Sequence, residues 1–322
     1  MEKVNADVIK ILYFLEQLKS QRDIRIIYNN WSPSLGREFH VTNLEYNFEG
    51  GALESTGIAE NKIQSIVIAA MELFERIAFY DYNLKSTNGL AAHFKKDKAD
   101  ENALKELVER DTYLYYYLTQ NLPEADTRES ELEQCILKAY PNTKISSFLL
   151  KNNYGFNVVQ SIIWGEDYES PFGMIVGLGS DKSYEIAKEK SLREIMSTLG
   201  HDLIHSISFS EFFELEQRGE LKLFHHHQLA LSLDYAKKYK EMYVSEAEES
   251  LNEGKSDVLV KSLDVPEMLK TTFPLFISQA ESKDVQQIFW GSTTEEKINI
   301  NRFNLSELSN LEKLKFFPHP FA

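Results

Sequence analysis

Residues 69–76 read AAMELFER. Glu72 and Glu75 stand three apart in a helical context, and Arg76 follows them. A spacing of i, i+3 puts both carboxylates on one side of a helix. The stretch LKELVERD at 104–111 repeats the arrangement with Glu106, Glu109 and Arg110, and a third helical stretch carries Glu194. Such acids either form a solvated outer face or build a site. The site chemistry would be that of a hard cation: Mg2+ takes oxygen ligands, keeps several waters and usually meets protein through few carboxylates while it holds substrate phosphates. The arginines beside the acids suit phosphate oxygens. There is no Walker A loop, so a nucleotide here is not of the P-loop kind.

A glycine precedes each acid at a similar distance: Gly57 leads to Glu72, Gly89 to Glu106 and Gly179 to Glu194, about 15 residues on. A solvated face needs no repeated offset, so the set argues for carboxylates placed around one site where a single pair would not. The elements that must position them can be read from periodicity. Helices are expected over 4–20, 61–82, 99–117, 130–140 and 183–199, with further ones at 209–218, 228–251 and 264–270. Strands are expected at DIRIIYNN, HVTNLEYNF, STNGLAAHF with a turn at Asn88-Gly89, KISSFLLKN, FNVVQSIIW, MIVGLGS and QQIFWGS, whereas EGGALESTGIAE reads as a turn. On a helical wheel Ile63, Ile66, Ala70, Phe74 and Ile77 oppose Glu72, while Ser65, Glu75 and Arg76 cluster with it on a polar front. With no linker or low-complexity run, the chain reads as one domain over 1–322.

Composition excludes several classes. A formal net charge of −15 is a poor match for nucleic acid or an anionic membrane, which reward basic surface. One cysteine, Cys135, rules out an intrachain disulfide framework or a thiolate zinc site and reads as a packed thiol. No signal peptide and no membrane-spanning apolar run is present, so the expectation is a cytoplasmic protein. His225, His226 and His227 are adjacent and cannot all face one metal, so they read as surface histidines at a helix start. His201 and His205 have an i, i+4 spacing without the His-Glu-x-x-His signature. The run Tyr113–Tyr117 reads as core and rim of the second long helix.

The three blocks GIAENKIQSIVIAAMELFER, NGLAAHFKKDKADENALKELVERDTYLYYYL and GLGSDKSYEIAKEKSLREI resemble the YcaO family in order and spacing, over roughly residues 50–200. The ending PHPFA is similar to the proline-rich C-terminus of its azoline-forming members. The resemblance implies an α+β YcaO-type fold: mixed and antiparallel sheets packed with long helices around a central nucleotide site. It implies ATP and Mg2+ as cofactors, used to phosphorylate a peptide backbone amide oxygen. A substrate Cys, Ser or Thr then gives thiazoline or oxazoline; sulfide would give a thioamide and an amine an amidine. By position, Glu72, Glu75, Glu106, Glu109 and Glu194 become metal and nucleotide carboxylates. Arg76 and Arg110 lie by the phosphates or brace the acids, Ser65, Asn88 and Ser197 join the nucleotide contacts, and Pro318, Pro320 and Ala322 become catalytic. The implied partners are a ribosomal precursor peptide and a ThiF-like or TfuA-type protein, and the resemblance is compatible with a homodimer.

The sequence also departs from the family pattern. Gly57-Ile58-Ala59 stands where the family has Gly-Lys-Gly. Ile68 takes the place of a serine, with Ser65 one turn earlier on the same face. Ser197 stands near a glutamine position and Leu199 at an arginine. Losing a charged phosphate contact typically costs about 1.5–3 kcal/mol. The departures define an alternative: a YcaO homologue that is a non-catalytic binding or scaffold subunit.

Overall fold

The computed structural model describes residues 6–20, 24–31, 38–48, 51–84, 86–121, 123–166, 169–200, 205–222, 224–244, 257–270, 274–303, 308 and 311–320. In chain order the elements are α1 (Ala6–Ser20), β1 (Ile24–Trp31), β2 (Phe39–Phe48), β3 (Gly51–Ala59), α2 (Lys62–Asp81), β4 (Leu90–His93), α3 (Lys96–Thr119), β5 (Glu124–Asp126), α4 (Glu131–Ala139) and β6 (Thr143–Leu150). There follow β7 (Asn157–Gly165), β8 (Met174–Asp181), α5 (Tyr184–Gly200), α6 (Phe209–Gln217), α7 (Phe224–Ala230), α8 (Leu233–Val244), β9 (Leu259–Leu263), β10 (Phe276–Glu281) and α9 (Leu311–Leu314). None of the described helices is long and apolar enough to cross a membrane. The chain divides into two compact units, residues 1–107 with 258–281 and residues 108–257 with 282–322.

In the first unit β1-β2-β3 form one antiparallel sheet and β4-β10-β9 another. Asn61 caps α2, its side chain accepting from Ile63 N and Gln64 N. The apolar back of α2 is buried at Ile66, Ala70, Phe74 and Ile77 as the wheel predicts, against Phe14 and Leu15 of α1, Leu44 of β2 and Ile277 of β10. Ile63 instead stays at the edge, 36% exposed. Gly57 lets α2 lie directly on β3: a Cβ there would sit 2.0 Å from Ser65 O and 2.6 Å from Ala69 N.

The second unit holds the antiparallel sheet β5-β6-β7-β8 with α5 packed across it. The close approach recurs, since a Cβ on Gly177 would meet Ser191 O at 2.0 Å and one on Gly179 would meet Ala187 O at 2.2 Å. Beside this contact Lys188 of α5 is buried. Its ammonium donates to Asp126 Oδ2 at 2.8 Å, to Arg128 O, and lies 3.0 Å from Glu133 Oε1 of α4. Burial works against the Asp126 charge, but hydrogen bonds from Lys188 and Arg128 hold its carboxyl well below the usual range.

Several sequence expectations are corrected. EGGALESTGIAE is not a turn in its described part: residues 51–59 form β3, because small residues let that strand pass under α2. QQIFWGS holds no strand; the strand is β10, ten residues earlier. The helix expected at 264–270 is a 3-10 turn at Glu267–Leu269. The helix expected at 228–251 is broken, because Leu231 N closes α7 on His227 O and Ser232 Oγ accepts from Tyr235 N to start α8. Its end, 245–251, lies outside the described residues.

Replacing Lys188 removes the ammonium that buried Asp126 and Glu133 share and leaves Asp126 its Arg128 contact at 2.8 Å, so Lys188→Met should destabilise the protein by about 3 kcal/mol in urea denaturation. The lowered Asp126 pKa contributes stability that is present above the ordinary aspartate value of about 3.9 and lost as pH falls below it. The variant should therefore lose less of its remaining stability on acidification than the wild type does.

Candidate active site: two groups of carboxylates

In the first unit, Glu72 reaches from α2 to β3, where its Oε2 accepts from Thr56 N at 3.0 Å. Its Oε1 accepts from Arg76 Nη2 at 2.7 Å and Nε at 3.2 Å. Glu75, one turn on, reaches β4 and accepts from Ala92 N at 2.8 Å. Burial raises the Glu75 pKa well above the usual glutamate value; the charges of Glu106 and Glu72 raise it further, against the Ala92 N–H and Arg76. The structure thus brings Glu72, Arg76 and Glu106 within electrostatic reach of Glu75. Asn88 is buried in the turn before β4, its N–H on Ser86 Oγ at 3.0 Å. Gly89 takes φ +75° there, where a Cβ would meet Ala280 O at 2.6 Å.

Ser65 is placed differently from expectation. It shares the α2 face with Glu72, but its side chain is fully buried, its Oγ 2.7 Å from Thr42 Oγ1 and donating to Lys62 O at 2.8 Å. In this packing the hydroxyl belongs to the α2–β2 contact.

The second unit has the same construction. Glu194 of α5 accepts from Leu178 N of β8 at 2.5 Å, sixteen residues apart as are Glu72 and Thr56. The glycines match too: Gly57 faces Ser65 and Ala69, and Gly179 faces Ala187 and Ser191, at identical offsets. For Gly57–Glu72 and Gly179–Glu194 the repeated glycine-to-acid spacing therefore has a structural cause. Glu109 of α3 has its pKa raised by burial, opposed by Arg110, a hydrogen bond from Ser180 and the charge of Lys190. Lys190 escaped sequence reading. It donates to Ser180 O at 2.9 Å and Asp181 Oδ2 at 3.1 Å, and its place four residues before Glu194 was the available signal. Ser197 is half-buried one turn after Glu194, whereas Ile58 and Leu199, at the positions of the family's lysine and arginine, are buried apolar residues.

The proline segment is packed, not loose. Phe317–Pro320 is buried, with Tyr117 OH donating to Phe317 O and Tyr235 OH to Pro318 O at 2.5 Å. Ala322 lies outside the described residues, as do His201 and Asp202. The surface histidines are also corrected. His225 and His226 are 8% and 1% exposed, and burial pushes the His226 pKa down to about 4.

A family model described as YcaO cyclodehydratase, ATP- and Mg2+-binding, matches residues 77–272, more than half of the chain. The chain belongs to the YcaO family. Its fold is similar to that of YcaO from Methanopyrus kandleri bound with AMPPCP and Mg2+, with TM-score 0.61 and 15% identity over 87% of this chain and 91% of that one. It is likewise similar to a chain of the E. coli microcin synthetase McbBCD complex, at TM-score 0.61 and 14% identity over 92% and 96%. A heterocyclase in complex with substrate and cofactor gives TM-score 0.64 and 13% identity over 98% of this chain and 57% of that one. At such identities the likeness is one of fold, and the α+β architecture of small antiparallel sheets and long helices is that of YcaO proteins. No curated protein matches. The YcaO match begins just after Arg76, so Asn88, Glu106, Glu109, Arg110, Glu194 and Ser197 lie within it and Ser65, Glu72 and Glu75 do not.

ATP and Mg2+ are the cofactors of this family. The residues fit them in a specific way. Among the described residues no three acid, histidine or cysteine side chains make a ready-made metal centre. Mg2+ needs none, because it commonly takes one or two carboxylates and completes its shell with phosphate and water. A divalent cation beside Glu75 would offset the burial and like charges that disfavour its ionised form.

Glu75→Gln keeps an acceptor for Ala92 N–H and removes the charge. Because the folded pKa is raised, wild-type stability falls as pH climbs from the ordinary glutamate value of about 4.3 toward the folded one. In Mg2+-free buffer the variant should be the more stable protein at pH 8, with the gap closing toward pH 4. Urea denaturation in EDTA checks this, and a variant less stable than wild type at pH 8 would contradict the electrostatic reading.

Proposed function

We propose that this YcaO protein activates backbone amides of a ribosomally made precursor peptide, and that the product is an azoline. The observation that carries the reading is the family match over a chain whose two units each present strand-anchored glutamates. Bound ATP with Mg2+ supplies the phosphoryl group that turns an amide oxygen into a leaving group, and closure by a substrate Cys, Ser or Thr gives thiazoline or oxazoline. Glu72, Glu75, Glu106, Glu109 and Glu194 are assigned to Mg2+ and nucleotide. Arg76 and Arg110 are assigned to phosphate oxygens or to bracing the acids, as Arg76 braces Glu72 here. Asn88 and Ser197 are nucleotide contacts in the same reading, and Pro318, Pro320 and Ala322 act at the reacting amide. The buried proline segment favours azoline formation over thioamide or amidine formation. The partner is a ThiF-like or TfuA-type protein that presents the peptide in the cytoplasm. Its support is indirect: the similar E. coli synthetase is a complex, also solved with pro-MccB17 bound.

A second reading has its own observations. Ser65 is occupied by Thr42 and Lys62, and Ile58 and Leu199 are packed apolar residues. They favour a YcaO subunit that keeps the fold and the acids but has lost nucleotide contacts. Calorimetric titration with ATP, with and without Mg2+, separates the two. The enzyme reading expects Mg2+-dependent binding that Glu72→Gln/Glu106→Gln weakens at least about tenfold, the loss of one charged contact or more. A folded wild-type protein with no binding at millimolar ATP would leave the scaffold reading standing.

A further inference from the structure

Pro318 and Pro320 have no N–H, and Phe317–Pro320 forms no strand, with Phe317 N donating to Leu314 O at 3.0 Å. Three consecutive carbonyls are nevertheless capped, each from a different helix. Tyr117 of α3 donates to Phe317 O, and Tyr235 of α8 donates to Pro318 O at 2.5 Å. His226 Nδ1 of α7 lies 2.8 Å from His319 O. Gly291 N donates to His226 Nε2 at 2.9 Å, which leaves the proton on Nδ1 and makes the ring the donor to His319 O. The His319 ring stacks on His226 at 5.0 Å and 28°, with its Nε2 2.6 Å from Phe289 O. Phe317 stacks on Tyr235 at 4.5 Å and 14°. A loose tail would need none of these donors.

The cradle runs along one side of α3. Tyr117 and Tyr113 stand one turn apart, and the Tyr113 ring meets His319 edge-on at 6.4 Å. Glu109 is one further turn back, about 6 Å of helical rise from Tyr113. We infer that Tyr117, His226 and Tyr235 are positioning residues that hold Phe317–Pro320 along α3, a turn from Glu109, and thereby set the proline segment for amide activation. The role in catalysis rests on the amide-activation reading; the anchor itself does not.

Two readouts on the full chain keep them apart: hydrogen exchange at Phe317 and His319, and phosphate release from Mg2+-ATP with a synthetic Gly-Gly-Cys peptide as probe acceptor. Tyr235→Phe removes one hydroxyl and keeps the ring stack, His226→Ala removes the donor and the ring, and His226→Asn restores a donor at the Nδ1 position. Exchange should quicken by about tenfold in the first two and recover in His226→Asn, the loss and return of one hydrogen bond. Phosphate release should show a lower kcat with KM for ATP unchanged in the first two, again recovered by asparagine. Unchanged exchange in both Tyr235→Phe and His226→Ala would overturn the anchor. Faster exchange with unchanged kcat would overturn the positioning role. A wild-type protein that releases no phosphate would sink the amide-activation reading and the positioning role with it, while faster exchange would still establish the anchor.

Discussion

A glutamate on a helix can take its hydrogen bond from a strand amide only where helix and strand lie almost in contact. That closeness requires a glycine on the strand. At Gly57 and Gly179 any Cβ would overlap the helix backbone, at 2.0 and 2.2 Å from a carbonyl oxygen. One residue before each glycine the strand offers its N–H, and Glu72 and Glu194 accept it. The carboxylates are thus held by backbone, which side-chain motion does not displace. This contact sets the direction of Glu72 and Glu194; Glu75, one turn on from Glu72, is held instead by Ala92 N of β4, and burial beside Glu106 raises its pKa.

The same contact costs stability. Half-buried acids that face one another are tolerated in a folded protein when a cation or a proton can offset them. Lys188 shows the contrasting solution, in which a buried lysine satisfies Asp126 and Glu133 directly. There the charges are closed on themselves. Glu75 differs: among the described residues it accepts from the Ala92 amide with Arg76 nearby, and burial and its acidic neighbours raise its pKa.

Some of this was legible in the sequence. Gly57–Glu72 and Gly179–Glu194 repeat at one offset because each pair belongs to one strand–helix unit, and units of that size leave a local signature, whereas Gly89 faces Ala280 and Leu107 instead. The long helices were legible for the same reason. The cradle of the proline segment was not. Tyr117 and Phe317 are 200 residues apart, and His226 and His319 are 93 apart. Three adjacent histidines look solvated until the fold buries two of them. Ser65 shows the limit of the helical wheel, which places a side chain on a face but does not say that Thr42 has already taken its hydroxyl. The glycine-rich β3 read as a turn because the residues that permit close packing are also turn residues.

The central claim is that the anchored carboxylates hold a divalent cation together with nucleotide phosphate. Crystals grown with Mn2+ and AMPPCP test it most directly, by the anomalous signal of the metal. The claim predicts a peak within coordination distance of a phosphate oxygen and of at least one of Glu72, Glu75, Glu106, Glu109 and Glu194. A fully bound nucleotide with no metal near any of the five glutamates, or metal bound only elsewhere on the chain, would contradict it.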